Sequence, residues 1–106
     1  MADRRLQVFS TVARLLSFTK AAEALHMTQP AVTFQIRQLE DHFNTRLFDR
    51  THNRISLTSA GELVKSYAEQ IISLYGEMDN NVRKLTGDVL GPLVVGASTT
   101  IGEYVA

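Results

Sequence analysis

With 106 residues, no cysteine and 44% hydrophobic residues, the chain is sized for one small packed domain plus an extension, and disulfide or thiolate chemistry is excluded. Eleven basic residues balance eleven acidic ones, yet residues 1–57 hold eight basic against five acidic side chains (+3) and residues 58–106 three against six (−3). A basic N-terminal half suits a phosphate-binding surface, and no signal peptide or bilayer-length apolar run is present, so the expectation is a cytoplasmic protein without a membrane partner.

Asp3 can cap a first helix running through Leu16, with Leu6, Phe9, Val12, Ala13 and Leu16 on one face. Ser17-Phe18 makes a short connection to a second helix, which Thr19 can cap. Its Ala21, Ala22 and Leu25 sit at helical spacing, and the alanines are small enough for another helix backbone to approach closely. Thr28 can cap a third helix by accepting from a first-turn amide, and Pro30 falls where its missing N–H costs nothing. Val32, Ile36, Leu39 and Phe43 recur as a core stripe, and the helix ends near Asn44, a residue that tolerates the left-handed conformation. The other face carries Gln29, Thr33 and Arg37, with Phe34 beside them.

Leu47-Phe48 and Ile55-Ser56-Leu57 are short strand candidates on either side of Thr51-His52-Asn53-Arg54, where Asn53 is best able to take a positive φ and close a hairpin. A long helix follows. Ser59-Ala60-Gly61-Glu62 has capping-box spacing, with Thr58 as the alternative cap. Val64, Ile71, Met78 and Leu85 recur every seven residues, with Tyr67 and Leu74 between them at heptad positions and Asn81 as a polar interruption able to fix register. Ile72, Tyr75 and Val82 widen the apolar face. The early turns are expected to pack on the chain's own domain; the rest wants a second copy, with Val64, Tyr67, Ile71, Leu74, Met78, Val82 and Leu85 as the dimerisation residues. Thr86-Gly87-Asp88 breaks the helix, and residues 91–102, including Leu93-Val94-Val95, read as a strand entering a helix. One strand and a fragment of helix cannot form a domain.

The expected fold is therefore mainly α: a winged helix-turn-helix over residues 1–58, with a two-stranded wing, and a long dimerising linker helix over 59–87. A helix, a tight turn, a second helix and a basic wing suit the reading of duplex DNA. Thr28, Gln29, Pro30, Thr33, Phe34 and Arg37 are the candidates at the major groove. Gln can pair with adenine, Arg with guanine, and Thr or Phe can touch a thymine methyl. Arg37 has alternatives, a phosphate or a salt bridge to Asp41. Arg50, Thr51, His52, Asn53 and Arg54 form the wing candidate for phosphates, and Arg54 suits a narrow minor groove. Arg50 could instead pair with Asp49 or Glu40.

Little else carries chemistry. His26, His42 and His52 match no zinc spacing, and Ser59 and Ser98 have no base or oxyanion partner nearby in sequence. No Gly-rich phosphate loop follows a strand. Neither an enzyme nor a cofactor is expected. Ser98-Thr99-Thr100 would cap a helix, or in a complete domain meet a small anionic ligand.

The phrases Ser17-Phe18-Thr19-Lys20-Ala21-Ala22-Glu23-Ala24-Leu25, Thr28-Gln29-Pro30-Ala31-Val32-Thr33 and Gln35-Ile36-Arg37-Gln38-Leu39-Glu40 resemble the DNA-binding domain of LysR-type transcriptional regulators. So do Arg46-Leu47-Phe48-Asp49-Arg50 and Leu57-Thr58-Ser59-Ala60-Gly61-Glu62. The resemblance runs from about residue 6 to the end. His26 stands where the family often has Gly, and Phe34 where a polar residue is common. The resemblance implies a homodimer through the linker helix, reading a pseudo-palindromic operator in double-stranded DNA, with a higher oligomer in the full-length protein. It also implies a small-molecule effector bound by a C-terminal domain of which residues 88–106 would be the truncated start. Two other readings fit the residues alone: a dimeric protein-interaction scaffold, or a winged-helix architectural binder without sequence preference.

Overall fold

In chain order the elements are α1 (Arg4–Leu15), α2 (Phe18–Leu25), α3 (Gln29–Phe43), β1 (Phe48–Thr51), β2 (Arg54–Leu57) and α4 (Ser59–Thr86). The computed structural model of the chain describes residues 4–87. The Asp3 cap, the Leu93-Val94-Val95 strand and the Ser98-Thr99-Thr100 hydroxyls lie outside the described residues. The fold is mainly helical with one antiparallel two-stranded sheet after the third helix, the winged helix-turn-helix arrangement. The chain divides into two compact units, one ending at Ser73 and the next beginning at Leu74. All three short helices and the wing belong to the first.

Each helix ends for a local reason. Leu16 takes a left-handed backbone (φ 50°), which closes α1 one residue early and swings its side chain off the core face. Leu16 is thus 46% exposed, contrary to expectation, and the α1 core face is Val8, Phe9, Val12 and Ala13. The cap of α2 is Ser17 rather than Thr19: its side chain accepts from the Lys20 N–H. His26 (φ 57°) closes α2, its N–H donating to the Glu23 carbonyl. Thr28 caps α3 as expected, accepting from Ala31 N–H at 3.2 Å, and left-handed Asn44 closes it. Phe43, expected in the core stripe, is 44% exposed because α3 outlasts the core it packs on, and its ring meets His42 instead.

The three short helices pack on one another around Phe9, Val12, Ala21, Val32 and Ile36, all of them buried. Phe48, the first residue of β1, inserts into this core. Its ring lies 5.3 Å from that of Phe9 and 5.8 Å from that of Phe18, centroid to centroid. Leu47 beside it is fully buried. From the other side of the wing, Thr58 ties the start of α4 to the same segment. Its N–H donates to the Leu47 carbonyl at 3.0 Å, its hydroxyl donates to the Arg46 carbonyl at 2.7 Å, and the hydroxyl oxygen accepts from Gly61 N–H at 3.0 Å. Thr58, not Ser59, is therefore the α4 cap. Ala68 is fully buried, with Ala60 and Val64 packed on the same cluster, so the early turns of α4 belong to the first unit's core.

The approach of α4 to the wing depends on one missing side chain. A Cβ on Gly61 would collide with the Leu47 carbonyl oxygen and crowd a Leu57 methyl. That carbonyl already accepts from Thr58 and cannot retreat without breaking the junction. We expect Gly61→Ala to lower unfolding free energy by about 1–3 kcal/mol, the range for overpacking, despite the better helix propensity of Ala. Urea unfolding followed by circular dichroism checks this; an unchanged or higher midpoint refutes the tight junction.

Candidate nucleic-acid interface

The outer surface of α3 carries Thr28, Gln29, Pro30, Phe34 and Arg37 exposed, with Thr33 half-buried. Phe34 is 58% exposed while Val32 and Ile36 on either side of it are buried, as the two faces of the helix require. The turn that aims α3 is set by left-handed His26 and by Met27, whose N–H reaches back to the Ala22 carbonyl at 2.9 Å.

The wing is a two-residue hairpin. Thr51 pairs with Arg54, which leaves His52 (φ 54°) and Asn53 (φ 60°) as its tip. Positive φ at both positions is the turn whose twist matches the strands. Asn53 was expected there; His52 taking the same conformation was not. Arg50, Thr51, His52, Asn53 and Arg54 are all exposed. Opposite Phe48, which points inward, Leu57 is half-buried, so the strand pair is pinned to the core at its base and open at its tip.

An open groove of about 830 Å³ joins the two parts, with Thr19 and Gln29 lining it from the helices and Arg50, His52, Asn53 and Arg54 from the wing. Thr33 and Arg37 line a smaller hollow of about 120 Å³ with Arg46 and Arg50. Arg50 is common to both. Its guanidinium sits 4.3 Å from the centroid of the Phe18 ring, a cation–π contact in place of the ion pairs weighed from the sequence. Glu40 is committed elsewhere: one carboxylate oxygen accepts from Leu47 N–H at 2.8 Å and Phe48 N–H at 3.4 Å, with Arg46 Nε at 3.8 Å. Arg37 forms no ion pair with Asp41 among the described residues; Glu40, which also lines the hollow, pairs with Arg46, and Arg37, Arg50 and Arg54 keep their positive charge without a carboxylate partner there. That is the electrostatic footprint of a phosphate-binding surface.

Sequence reasoning missed Arg46 and the groove role of Thr19. The signal for Arg46 is its place two residues before buried Phe48; Thr19 reads from the sequence as a helix cap. The histidines are dispersed, with His26 at a helix end, His42 against Phe43 and His52 at the hairpin tip. Among the described residues no group of three or more His, Asp or Glu could hold a metal ion, and no helix is long and apolar enough to cross a membrane.

Residues 4–62 match the model of the bacterial regulatory helix-turn-helix proteins of the lysR family. The chain belongs to the LysR family. Among solved LysR structures it is similar to the CbnR DNA-binding domain in complex with DNA (34% identity, TM-score 0.75, covering 81% of this chain and 99% of that one). It is also similar to the BenM DNA-binding domain with its catB site 1 DNA (30% identity, TM-score 0.77, 81% and 97%). A curated relative, the RuBisCO operon transcriptional regulator of Allochromatium vinosum, is 41% identical over 101 residues, which is 95% of this chain and 33% of the relative. The chain thus spans about a third of the length of the curated LysR-family relatives it matches.

The residues expected to dimerise differ in what they touch. Val64 packs against the core of its own domain, whereas Tyr67 and Ile71, in the first unit, are exposed. In the second unit Leu74, Met78, Val82 and Leu85 are exposed as well. Leu63 is a further exposed apolar residue that the heptad reading did not include.

Glu40 holds the wing to α3, and its side chain is only 15% exposed. Glu40→Ala leaves two amides of the β1 junction without their acceptor, and each partly buried orphan costs about 1–3 kcal/mol. The expected result is a lower urea midpoint with faster amide exchange at Leu47 and Phe48 than in α1. Retained protection of those two amides would mean that the carboxylate is not their anchor.

Proposed function

We propose that this chain is the DNA-binding part of a cytoplasmic LysR-type transcriptional regulator that reads duplex DNA in a sequence-specific manner. The observation that carries the reading is the single groove shared by Gln29 at the head of α3 and by Arg50 and Arg54 on the wing. Gln29, Thr33, Phe34 and Arg37 take base edges in the major groove, with Thr28 and Pro30 at the leading end of the helix. Arg50, Thr51, His52, Asn53 and Arg54 hold phosphate and minor groove. Two copies pair through α4, with the exposed apolar residues Tyr67, Ile71, Leu74, Met78, Val82 and Leu85 and the partly buried Val64 at the seam. They present two recognition helices to half-sites about 34–36 Å apart, or a multiple. Residues 88–106 would lead into an effector-binding domain that senses a small molecule in the full-length protein. Since a similar protein is named a RuBisCO operon regulator, promoter DNA of such an operon is the first duplex to try.

Two substitutions separate base reading from phosphate binding. Gln29→Ala should lose about 1–3 kcal/mol at one base position and relax the preference there. Arg54→Ala should weaken binding to every duplex and reduce the dependence of log affinity on log salt by about one. Fluorescence anisotropy with specific and random duplexes over a salt series measures both. Salt-independent binding, or an unaltered specific-to-random ratio in Gln29→Ala, would favour a protein-docking scaffold or a sequence-indifferent binder instead.

The pairing of α4 is tested by Ile71→Glu, which places a charge where an apolar seam would desolvate it. Sedimentation should then show monomers, and specific affinity should drop far more than non-specific affinity because the second half-site is lost. A dimer that survives Ile71→Glu removes this helix face from the interface.

A further inference from the structure

The Gln29 side chain is tethered. Thr19, in the first turn of α2, donates its hydroxyl hydrogen to Gln29 Oε1 at 3.3 Å, a link between the two helices of the helix-turn-helix. Both residues are exposed and line the same groove. Because Ser17 caps α2, the Thr19 hydroxyl is left for this contact. A glutamine amide has two donors on Nε2 and two acceptor lone pairs on Oε1, and its last torsion is broad and roughly two-fold. Untethered, it can offer either end to a base. With Oε1 engaged by Thr19, Nε2 keeps both hydrogens for a partner outside the chain.

We infer that Thr19 is a specificity-determining positioning residue, which fixes the Gln29 amide donor-first toward the DNA. The inference rests on the major-groove reading of Gln29 proposed above and names what that residue selects. The base it faces must present an acceptor in the major groove. Guanine does so with N7 and O6, adenine with N7 and thymine with O4, whereas the cytosine edge presents only the N4 donor. Adenine remains a bidentate partner, since the second lone pair of Oε1 can accept from its N6–H. Cytosine is the base disfavoured: its N4–H could meet that second lone pair, but the two Nε2 hydrogens would find no acceptor on its edge.

Selection of bound sequences from a random duplex pool tests this with the full chain and four variants: Thr19→Val, Thr19→Ser, Gln29→Ala and the Thr19→Val/Gln29→Ala double. For the wild-type protein we expect cytosine to be disfavoured by roughly tenfold at one position, the order of discrimination one good base contact gives. Thr19→Val keeps the branched shape but removes the hydroxyl, and should collapse that discrimination to about threefold or less while thermal unfolding stays unchanged. Thr19→Ser should retain it. The double variant should match Gln29→Ala in base preference, since a tether acts only through what it holds. The inference is overturned if Thr19→Val keeps the cytosine discrimination. It is equally overturned if Thr19→Val weakens all duplexes alike, and does so again in the Gln29→Ala background, because the hydroxyl would then be a backbone contact in its own right. If Gln29→Ala changes preference at no position, the groove reading fails and takes this inference with it; a Gln29 effect without a Thr19 effect overturns the tether alone.

Discussion

The ring of Phe48, held between those of Phe9 and Phe18, ties the wing to the helices. Burying such a side chain contributes about 1.5–3 kcal/mol, and each well-placed aromatic pair about 0.5–1.5 more. Because side chains alternate along a strand, a slip of one residue would turn Phe48 to solvent and Asp49 inward. The register of Phe48 against Leu57 and Thr51 against Arg54 follows from that choice, and with it the two-residue tip. Phe18 then meets the wing a second time, through the Arg50 guanidinium on its ring. At an exposed site that contact is worth only about 0.5–1 kcal/mol, so it directs the cation more than it stabilises the fold.

Around this centre the chain turns at residues that are not glycine. Leu16, His26, Asn44, His52 and Asn53 all have positive φ, a conformation that costs L-residues about 1–2 kcal/mol. Each lies at a junction between elements, where packing on both sides fixes the direction of the chain. The turn after α2 illustrates the balance: His26 accepts the unfavourable backbone because Ala21 and Ala22 below it and Met27 beyond it are already committed to the core. The direction of α3, and hence of Gln29 and Phe34, depends on that compromise.

The polar chemistry divides between scaffold and site. Glu40 is consumed in closing the α3–β1 junction, where its carboxylate meets two amides and Arg46. Arg37, Arg50 and Arg54 remain free of carboxylate partners among the described residues, and only the tether from Thr19 restrains the groove-facing Gln29. A surface kept charged and exposed in this way contributes little to folding, which leaves its residues available to a polyanion. The exposed apolar residues of α4 make a parallel case: much of their surface faces water in one chain, and in the proposed dimer that surface is what two chains bury.

Much of this protein was legible in its sequence. Periodicity alone separated the buried Val32-Ile36-Leu39 stripe from the Gln29-Thr33-Arg37 face, because a helix repeats every 3.6 residues whatever packs on it. Thr28, Pro30 and Asn44 marked the ends of α3 through hydrogen-bonding chemistry local to the backbone, and the motifs sufficed to indicate the family. Other features depend on groups distant in sequence. Leu16 and Phe43 fitted their stripes but lie outside the core, since a pattern records which face a residue shares and not where the core stops. Thr19 was the cap expected for α2, and Ser59 for α4 with Thr58 as the alternative; the structure has Ser17 and Thr58 instead, the latter with a hydroxyl that also reaches the Arg46 carbonyl. That Arg50 rests on Phe18, that Gly61 must lack a side chain above the Leu47 carbonyl, and that Thr19 grips Gln29 were decided only by the fold, because each joins groups whose distance no local rule sets.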